Sequence, residues 1–346
     1  MAYTAIDDPE AYFRIKLYTG DGSQQAITFD TTDTSMQPDF LWFKGRNSAQ
    51  PHGLYDSIRG VNKSVRSNDS SAEETSTSMS AFSSNGFTVE NNGKTGENAV
   101  TYVAWCWKAG TTSIPSGSTS DPSGVSFSAT SGLGIYAITS PGSGNYALKH
   151  GLGTAPNFII VKDLEATQKW MTWSDQFSNL TDDYLQLNDT AAKATYSTCW
   201  STMNTTDATI ATGGTLDVNN DHIIYVFSNR QGFSRTGSYT GNGNADGPFI
   251  YTGFRPAWLV VKRTIGGTQD WELFDNKINP YNVATIALRP NVSNGEQTGN
   301  AMDLLSNGFK NRLSGSSVNT DGDTYTYLAF AEAPFVNSNG VPCNAR

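Results

Sequence analysis

Pro38-Asp39-Phe40-Leu41-Trp42-Phe43-Lys44 is a proline, an alternating apolar run and a lysine, and the chain writes this phrase three times. It returns as Pro156-Asn157-Phe158-Ile159-Ile160-Val161-Lys162 and as Pro256-Ala257-Trp258-Leu259-Val260-Val261-Lys262. A second motif follows each lysine by eight or nine residues: His52-Gly53-Leu54-Tyr55-Asp56, then Trp170-Met171-Thr172-Trp173-Ser174-Asp175, then Trp271-Glu272-Leu273-Phe274-Asp275. A third closes each unit, as Tyr102-Val103-Ala104-Trp105, Tyr225-Val226-Phe227 and Tyr327-Leu328-Ala329-Phe330. The order never changes, so the chain is internally repeated. Repeated β-rich units generally build surfaces for binding or assembly rather than one active site.

The spacing around these motifs has period two almost everywhere, the mark of half-buried strands. Exceptions are Thr190-Ala191-Ala192-Lys193-Ala194 and Met302-Asp303-Leu304-Leu305-Ser306, which offer a turn of helix each. The 33 Gly and 13 Pro fall mostly between short apolar runs, as tight turns require. The expected fold is all-β: three tandem β-sandwich, jelly-roll-like modules of about 100 residues each. The alternative is one larger assembly in which the units share sheets. The boundaries read as an N-terminal segment 1–12, module one 13–109, a Ser/Gly/Pro-rich linker 110–133, module two 134–231, module three 232–335 and a tail 336–346. The polar stretch from Ser64 to Ser80 reads as an exposed excursion.

A net charge of −9 without a basic run argues against a nucleic-acid partner, because phosphate binding needs clustered Lys and Arg. No apolar stretch approaches the ~18 residues of a membrane span, and Met1 to Asp8 lacks the basic head and apolar core of a secretory signal. Cys106, Cys199 and Cys343 are scattered, with no CxxC pair for zinc. His52, His150 and His222 sit in no nucleophile motif. No cofactor is indicated, and the chain reads as non-enzymatic.

Some residues stand out as candidate sites. His52, Trp170 and Trp271 hold one repeated position, and with Trp173 they are candidates for stacking on sugar rings, weighed against a place in the sandwich core. The recurring Asp56, Asp175 and Asp275 suit turn caps. Trp42, Phe158 and Trp258 read as shared core. Asp217, Asn219 and Asp221 place oxygens at alternate positions as a calcium loop does, but the glycine and distant glutamate of an EF-hand are missing and a hairpin turn needs the same residues.

Longer phrases carry a resemblance. Ile6-Asp7-Asp8-Pro9-Glu10-Ala11-Tyr12-Phe13-Arg14-Ile15-Lys16-Leu17-Tyr18, Tyr102 to Gly110, Gly237 to Trp258 and Tyr327 to Ser338 resemble a repeat-domain family of tail-fibre-like virion proteins of marine tailed bacteriophages. The resemblance implies concanavalin-like modules and a structural part of a phage particle, made in the cytoplasm of the infected bacterium and carried on the tail more readily than on the head. It implies a homotrimer, other virion proteins as partners and host cell-surface glycan as receptor. The competing expectations are a head decoration protein or tail adaptor without a receptor role, and a polysaccharide depolymerase. The chain has neither coiled-coil heptads nor a glycine-repeat shaft, which favours a short spike over a long fibre.

Overall fold

The protein is described from a computed structural model that covers residues 3–30 and 34–343. Met1 and Ala2 of the N-terminal segment and residues 344–346 of the tail therefore lie outside the described residues. The chain is all-β, with 43% strand and 2% helix. In order, the first third holds β1 (Phe13–Thr19), β2 (Gln25–Thr28), β3 (Phe40–Gly45), β4 (Gly53–Asp56), β5 (Lys63–Ser64), β6 (Glu74–Thr75), β7 (Met79–Ser83), β8 (Gly86–Val89) and β9 (Thr101–Trp107). The second holds β10 (Gly124–Phe127), β11 (Leu133–Thr139), β12 (Asn145–Lys149), β13 (Phe158–Asp163), β14 (Met171–Ser174), β15 (Asp183–Gln186), β16 (Ala194–Thr195), β17 (Trp200–Met203), β18 (Asp207–Ala211) and β19 (Asp221–Phe227). The last holds β20 (Ser234–Thr240), β21 (Phe249–Tyr251), β22 (Phe254–Arg263), β23 (Glu272–Asp275), β24 (Met302–Leu305), β25 (Gly308–Asn311), the single turn α1 (Ser316–Asn319) and β26 (Thr324–Pro334).

One antiparallel strand order occurs three times. The large sheets run β1-β9-β3-β4, β11-β19-β13-β14 and β20-β26-β22-β23, and the small sheets β2-β8-β7, β12-β18-β17 and β21-β25-β24. The second large sheet continues outward through β10 on one edge and β15-β16 on the other. β10 lies inside the stretch read as a linker, so residues 110–133 contribute a strand rather than only a connection. Neither helical expectation holds: Ala194 begins β16 and Met302 begins β24.

The apolar run of the opening motif is continuous because both faces of its strand are covered. Leu41 and Phe43 of β3 pack with Ile27, Phe87 and Val89 of the small sheet, closing a sandwich. Phe40 and Trp42 point the other way, into a cluster shared by all three thirds of the chain. There Phe40 meets Tyr225 at 4.4 Å between ring centroids, Phe13 meets Phe330 at 5.2 Å, and Trp107 meets Trp258 at 5.5 Å. Each large sheet thus has a sandwich face and a central face. Strands buried on both faces lose the polar alternation that a half-exposed sheet shows.

Register corrects one equivalence. Phe40 pairs with Trp107, Phe158 with Phe227 and Trp258 with Phe330. Phe40, not Trp42, is therefore the counterpart of Phe158 and Trp258; Trp42 matches Ile160 and Val260.

Candidate functional site

The excursion after β4, and its counterparts after β14 and β23, reach over to another third of the chain. Glu73 N–H donates to Leu164 O at 2.9 Å, Lys193 N–H to Thr264 O at 3.1 Å, and Glu296 N–H to Arg46 O at 2.7 Å. The first repeat holds the second, the second the third, and the third the first, so the three close into a ring. The stretch from Ser64 to Ser80 belongs to this clasp: Ser64, Ser67 and Ser78 are buried, and Ser67 Oγ donates to Pro290 O at 2.8 Å. Serine satisfies backbone acceptors there, which is why a polar stretch is not a solvated one.

The candidate stacking residues are parts of the same closure. Trp170 Nε1–H donates to Arg66 O at 2.8 Å and Trp271 Nε1–H to Gln186 O at 3.0 Å. His52 completes the set, with Nε2 3.0 Å from Arg289 O. Trp42 Nε1–H donates to His52 Nδ1 at 2.8 Å, which fixes the proton on Nε2. Burial also holds this imidazole well below its ordinary pKa, so it stays neutral. Trp173 is buried too and donates to Leu180 O at 2.9 Å. With exposures of 0–1%, none of the four can lie against a sugar ring; each is a core pin. Trp271→Phe keeps an aromatic ring but leaves Gln186 O with only the Asp189 amide at 3.2 Å, and urea denaturation is expected to show a loss of about 0.5–1.5 kcal/mol from the lost bond.

The aspartate triplet also needs correcting. Asp56 Oδ1 accepts from the amides of Ile58 and Arg59, and Asp275 Oδ1 from those of Lys277 and Ile278. The residue in register with them is Ser174, whose Oγ accepts from Gln176 N–H, while Asp175 faces Asn157. The exchange has a cause in the neighbouring repeat. Tyr225 OH donates to Asp56 Oδ2 at 2.8 Å and Trp105 Nε1–H to Asp275 Oδ2 at 3.0 Å, whereas Leu328 holds their place in the third repeat and Ser174 Oγ meets the Thr326 hydroxyl at 3.1 Å instead. A carboxylate stands where a phenol or indole of the neighbouring repeat donates to it, and a hydroxyl stands where the neighbour is another hydroxyl that can donate or accept. Burial still raises the Asp275 pKa to about 6, against the pull of its amide and indole donors.

The three motif lysines are buried and their ammonium groups are held by carbonyls. Lys44 Nζ donates to Gly45 O at 2.8 Å and Gln50 O at 2.9 Å; Lys162 Nζ to Gln168 O at 3.0 Å and Ser70 O at 3.2 Å; Lys262 Nζ to Thr190 O at 2.9 Å and to Gln269 O. Burial lowers each from 10.5 to about 8. Above pH 8 the folded chain sheds these protons before the unfolded chain does, so stability rises with pH until the unfolded lysines titrate as well. Above about pH 10 the buried tyrosines Tyr136 and Tyr225, whose pKa values burial raises, reverse the trend. Urea midpoints at pH 7.5 and 9.5 should differ in favour of pH 9.5, by at least about 1 kcal/mol.

All three histidines have both ring nitrogens engaged by structure. His150 bonds Asn204 O and Leu152 N–H, and His222 bonds Asn220 O and Asp217 N–H. The calcium candidates do not converge. Asp217 lines one cleft, Asp221 lines another beside Arg59 and accepts from Thr139 Oγ1, and Asn219 is exposed. Among the described residues no group of three His, Cys, Asp or Glu is placed to hold a metal ion.

One feature breaks the threefold pattern. In the first repeat the loop before the closing strand is Asn92-Gly93-Lys94-Thr95, and Lys94 lies over Gly53 of β4, bonding Ser64 Oγ at 3.2 Å, Ser76 Oγ at 3.1 Å and the Glu74 carboxylate. In the third, Ser317 of α1 bonds Glu272, which stands in register with Gly53, and Val318 is fully buried. In the second the loop reads Thr212-Gly213-Gly214-Thr215. Thr215 Oγ1 donates to Cys199 O at 2.8 Å as Thr95 Oγ1 does to Ser78 O at 2.5 Å, so Gly214 stands where Lys94 stands. Lacking that side chain, the second repeat keeps an open cleft of about 320 Å³ above Met171, flanked by Tyr184, Tyr196, Gln168, Lys169 and Asp217.

The chain belongs to a family known as a domain of unknown function, DUF7483, whose family model matches residues 8–334. That match spans all three repeats as one unit. No curated protein and no solved structure matches the chain.

Proposed function

We propose that this chain is a non-enzymatic structural protein of a bacteriophage virion, a tail-fibre or spike component that meets glycans on the host surface. In this reading the three repeats are β-sandwich modules of about 100 residues each. The observation that supports it is the closed ring of clasps, Glu73 on Leu164, Lys193 on Thr264 and Glu296 on Arg46. Such a ring directs the large aromatics inward and leaves hairpins and loops outside, a rigid body suited to display. It also gives one chain a threefold set of modules; a homotrimer would multiply that set and turn weak contacts into avidity. The engagement of all three histidines by backbone supports the non-enzymatic part.

A second reading, a head decoration protein or tail adaptor, is favoured by the aromatic surface of the third repeat. Phe249, Tyr251 and Tyr281 are 46%, 54% and 80% exposed. Large exposed aromatic groups are enriched where proteins meet other proteins. Gold-labelled antibody on purified particles, with a glycan array probed by the full chain, separates the readings. Label at the distal tail with array signal is expected. Label over the head without array signal would replace the first reading with the second, and release of oligosaccharide from host capsule would overturn the non-enzymatic part.

A further inference from the structure

The geometry points to the open cleft of the second repeat as a binding site for a neutral or amino sugar unit, and not for an acidic one. This inference rests on the glycan reading above and gives it a place and a ligand class. Of three equivalent positions, two are filled by the protein's own groups, Lys94 in the first repeat and α1 in the third. The second has Gly214 instead, and its side-chain neighbours are of the kinds that hold sugars.

Tyr196 is 54% exposed and Tyr184 half-buried, so both offer ring surface to the C–H face of a pyranose. Met171 forms an apolar floor. Gln168 is exposed at the rim, and the Gln186 side chain already accepts from Lys169 at 3.0 Å. Asp217 is held by its backbone, whose N–H donates to His222 Nε2 at 3.2 Å and whose carbonyl accepts from Ser140 Oγ. Its carboxylate is thereby left to accept hydroxyls, and a carboxylate does so strongly.

Charge sets the class. Lys169, the cation at the rim, is paired with Asp189. The Asp163 carboxylate is engaged by the amides of Glu165 and Ala166 and by Asn220, and Asp217 adds a further negative charge at the wall. Behind the wall the one ammonium of Lys162 is shared between Asp163 and Asp217, so the site keeps an excess of negative charge; a uronate or sialate entering here would meet like charge, and a neutral hexose or a hexosamine would not. The volume lies at the low end of small-molecule sites, enough for a terminal sugar or one branch unit rather than a long chain segment.

The test is saturation-transfer NMR and calorimetry on the full chain with galactose, mannose, glucosamine, glucuronate and N-acetylneuraminate, repeated with Tyr196→Ala and Asp217→Ala. Both side chains sit at the surface, and matching thermal midpoints would establish that the variants fold. Binding of a neutral or amino sugar, weakened at least tenfold by each variant, is expected. Preference for an acidic sugar would overturn the ligand class. Glycan-array binding that both variants leave unchanged would overturn the cleft while the glycan reading stands. No glycan bound by the wild-type chain in either assay would overturn both.

Discussion

Trp258→Ala is expected to cost about 3–5 kcal/mol and to lower the stability of the whole molecule in one transition. Trp258 is not the private core of the third repeat. Its ring lies 5.5 Å from Trp107 and 6.4 Å from Trp42, both from the first repeat, and 5.9 Å from Phe330 of its own. Phe330 in turn meets Phe227 of the second repeat at 5.9 Å. Truncation therefore opens a cavity between the first and third large sheets, and Phe330 carries the loss to the second. Trp258→Phe is a useful contrast. The indole N–H of Trp258 has no acceptor among the described residues, so phenylalanine removes a buried donor at the same time as it removes volume. Its cost should be much smaller. Urea denaturation followed by tryptophan fluorescence and by far-UV dichroism checks both variants. Coincident transitions are expected; a variant that splits them would mean that the third repeat unfolds alone.

Arg59→Ala should be about as damaging, with a loss of about 3–5 kcal/mol. Arg59 and Asp56 are almost wholly buried, and Nε lies 2.6 Å from Asp56 Oδ2. The same guanidinium donates to Leu54 O at 3.1 Å and to Tyr225 OH at 3.1 Å, so it joins the first repeat to the closing strand of the second. Glu73, at the clasp, lies 3.3 Å from its Nη1. Alanine would leave the Asp56 carboxylate in the interior with its cation gone. The double variant Asp56→Asn/Arg59→Met should recover part of the loss, because it removes the stranded charge along with its partner. A double variant as unstable as Arg59→Ala would show that the guanidinium's hydrogen bonds to Leu54 O and Tyr225 OH, rather than the stranded charge, set the cost.

The repeat itself was plain in the sequence, and with it the β class and the places of Lys44, Lys162 and Lys262. What those places are for was not. A lysine ending an apolar run reads as the point where a strand meets water, and only the carbonyls gathered around each ammonium show that it is interior. Trp170 and Trp271 illustrate the same limit. A tryptophan suits a sugar face and a buried pin equally well, and the deciding partner lies 104 residues away for Trp170 and 85 for Trp271. The serine-rich stretch before Ser80 misleads because composition reports polarity and not where the acceptors are. Matching the repeats by aromatic residues placed Trp42 beside Trp258, whereas counting back from the lysine gives Phe40, the match that the strand register bears out. The open cleft did leave a signal. Gly93-Lys94-Thr95 set against Gly213-Gly214-Thr215 shows a side chain lost in one repeat, and only the loop over Met171 reveals what that loss exposes.

The ring closes through three backbone amides, and native-state hydrogen exchange reads each of them separately. Glu73, Lys193 and Glu296 each donate across a boundary between repeats, from excursions that would otherwise be open loops. All three are expected to exchange only through global unfolding, with protection matching the free energy from urea denaturation and falling together in Trp258→Ala. Exchange of Glu296 at the rate of a free loop, with Glu73 and Lys193 protected, would mean that the third repeat does not hold the first and that the three form an open row.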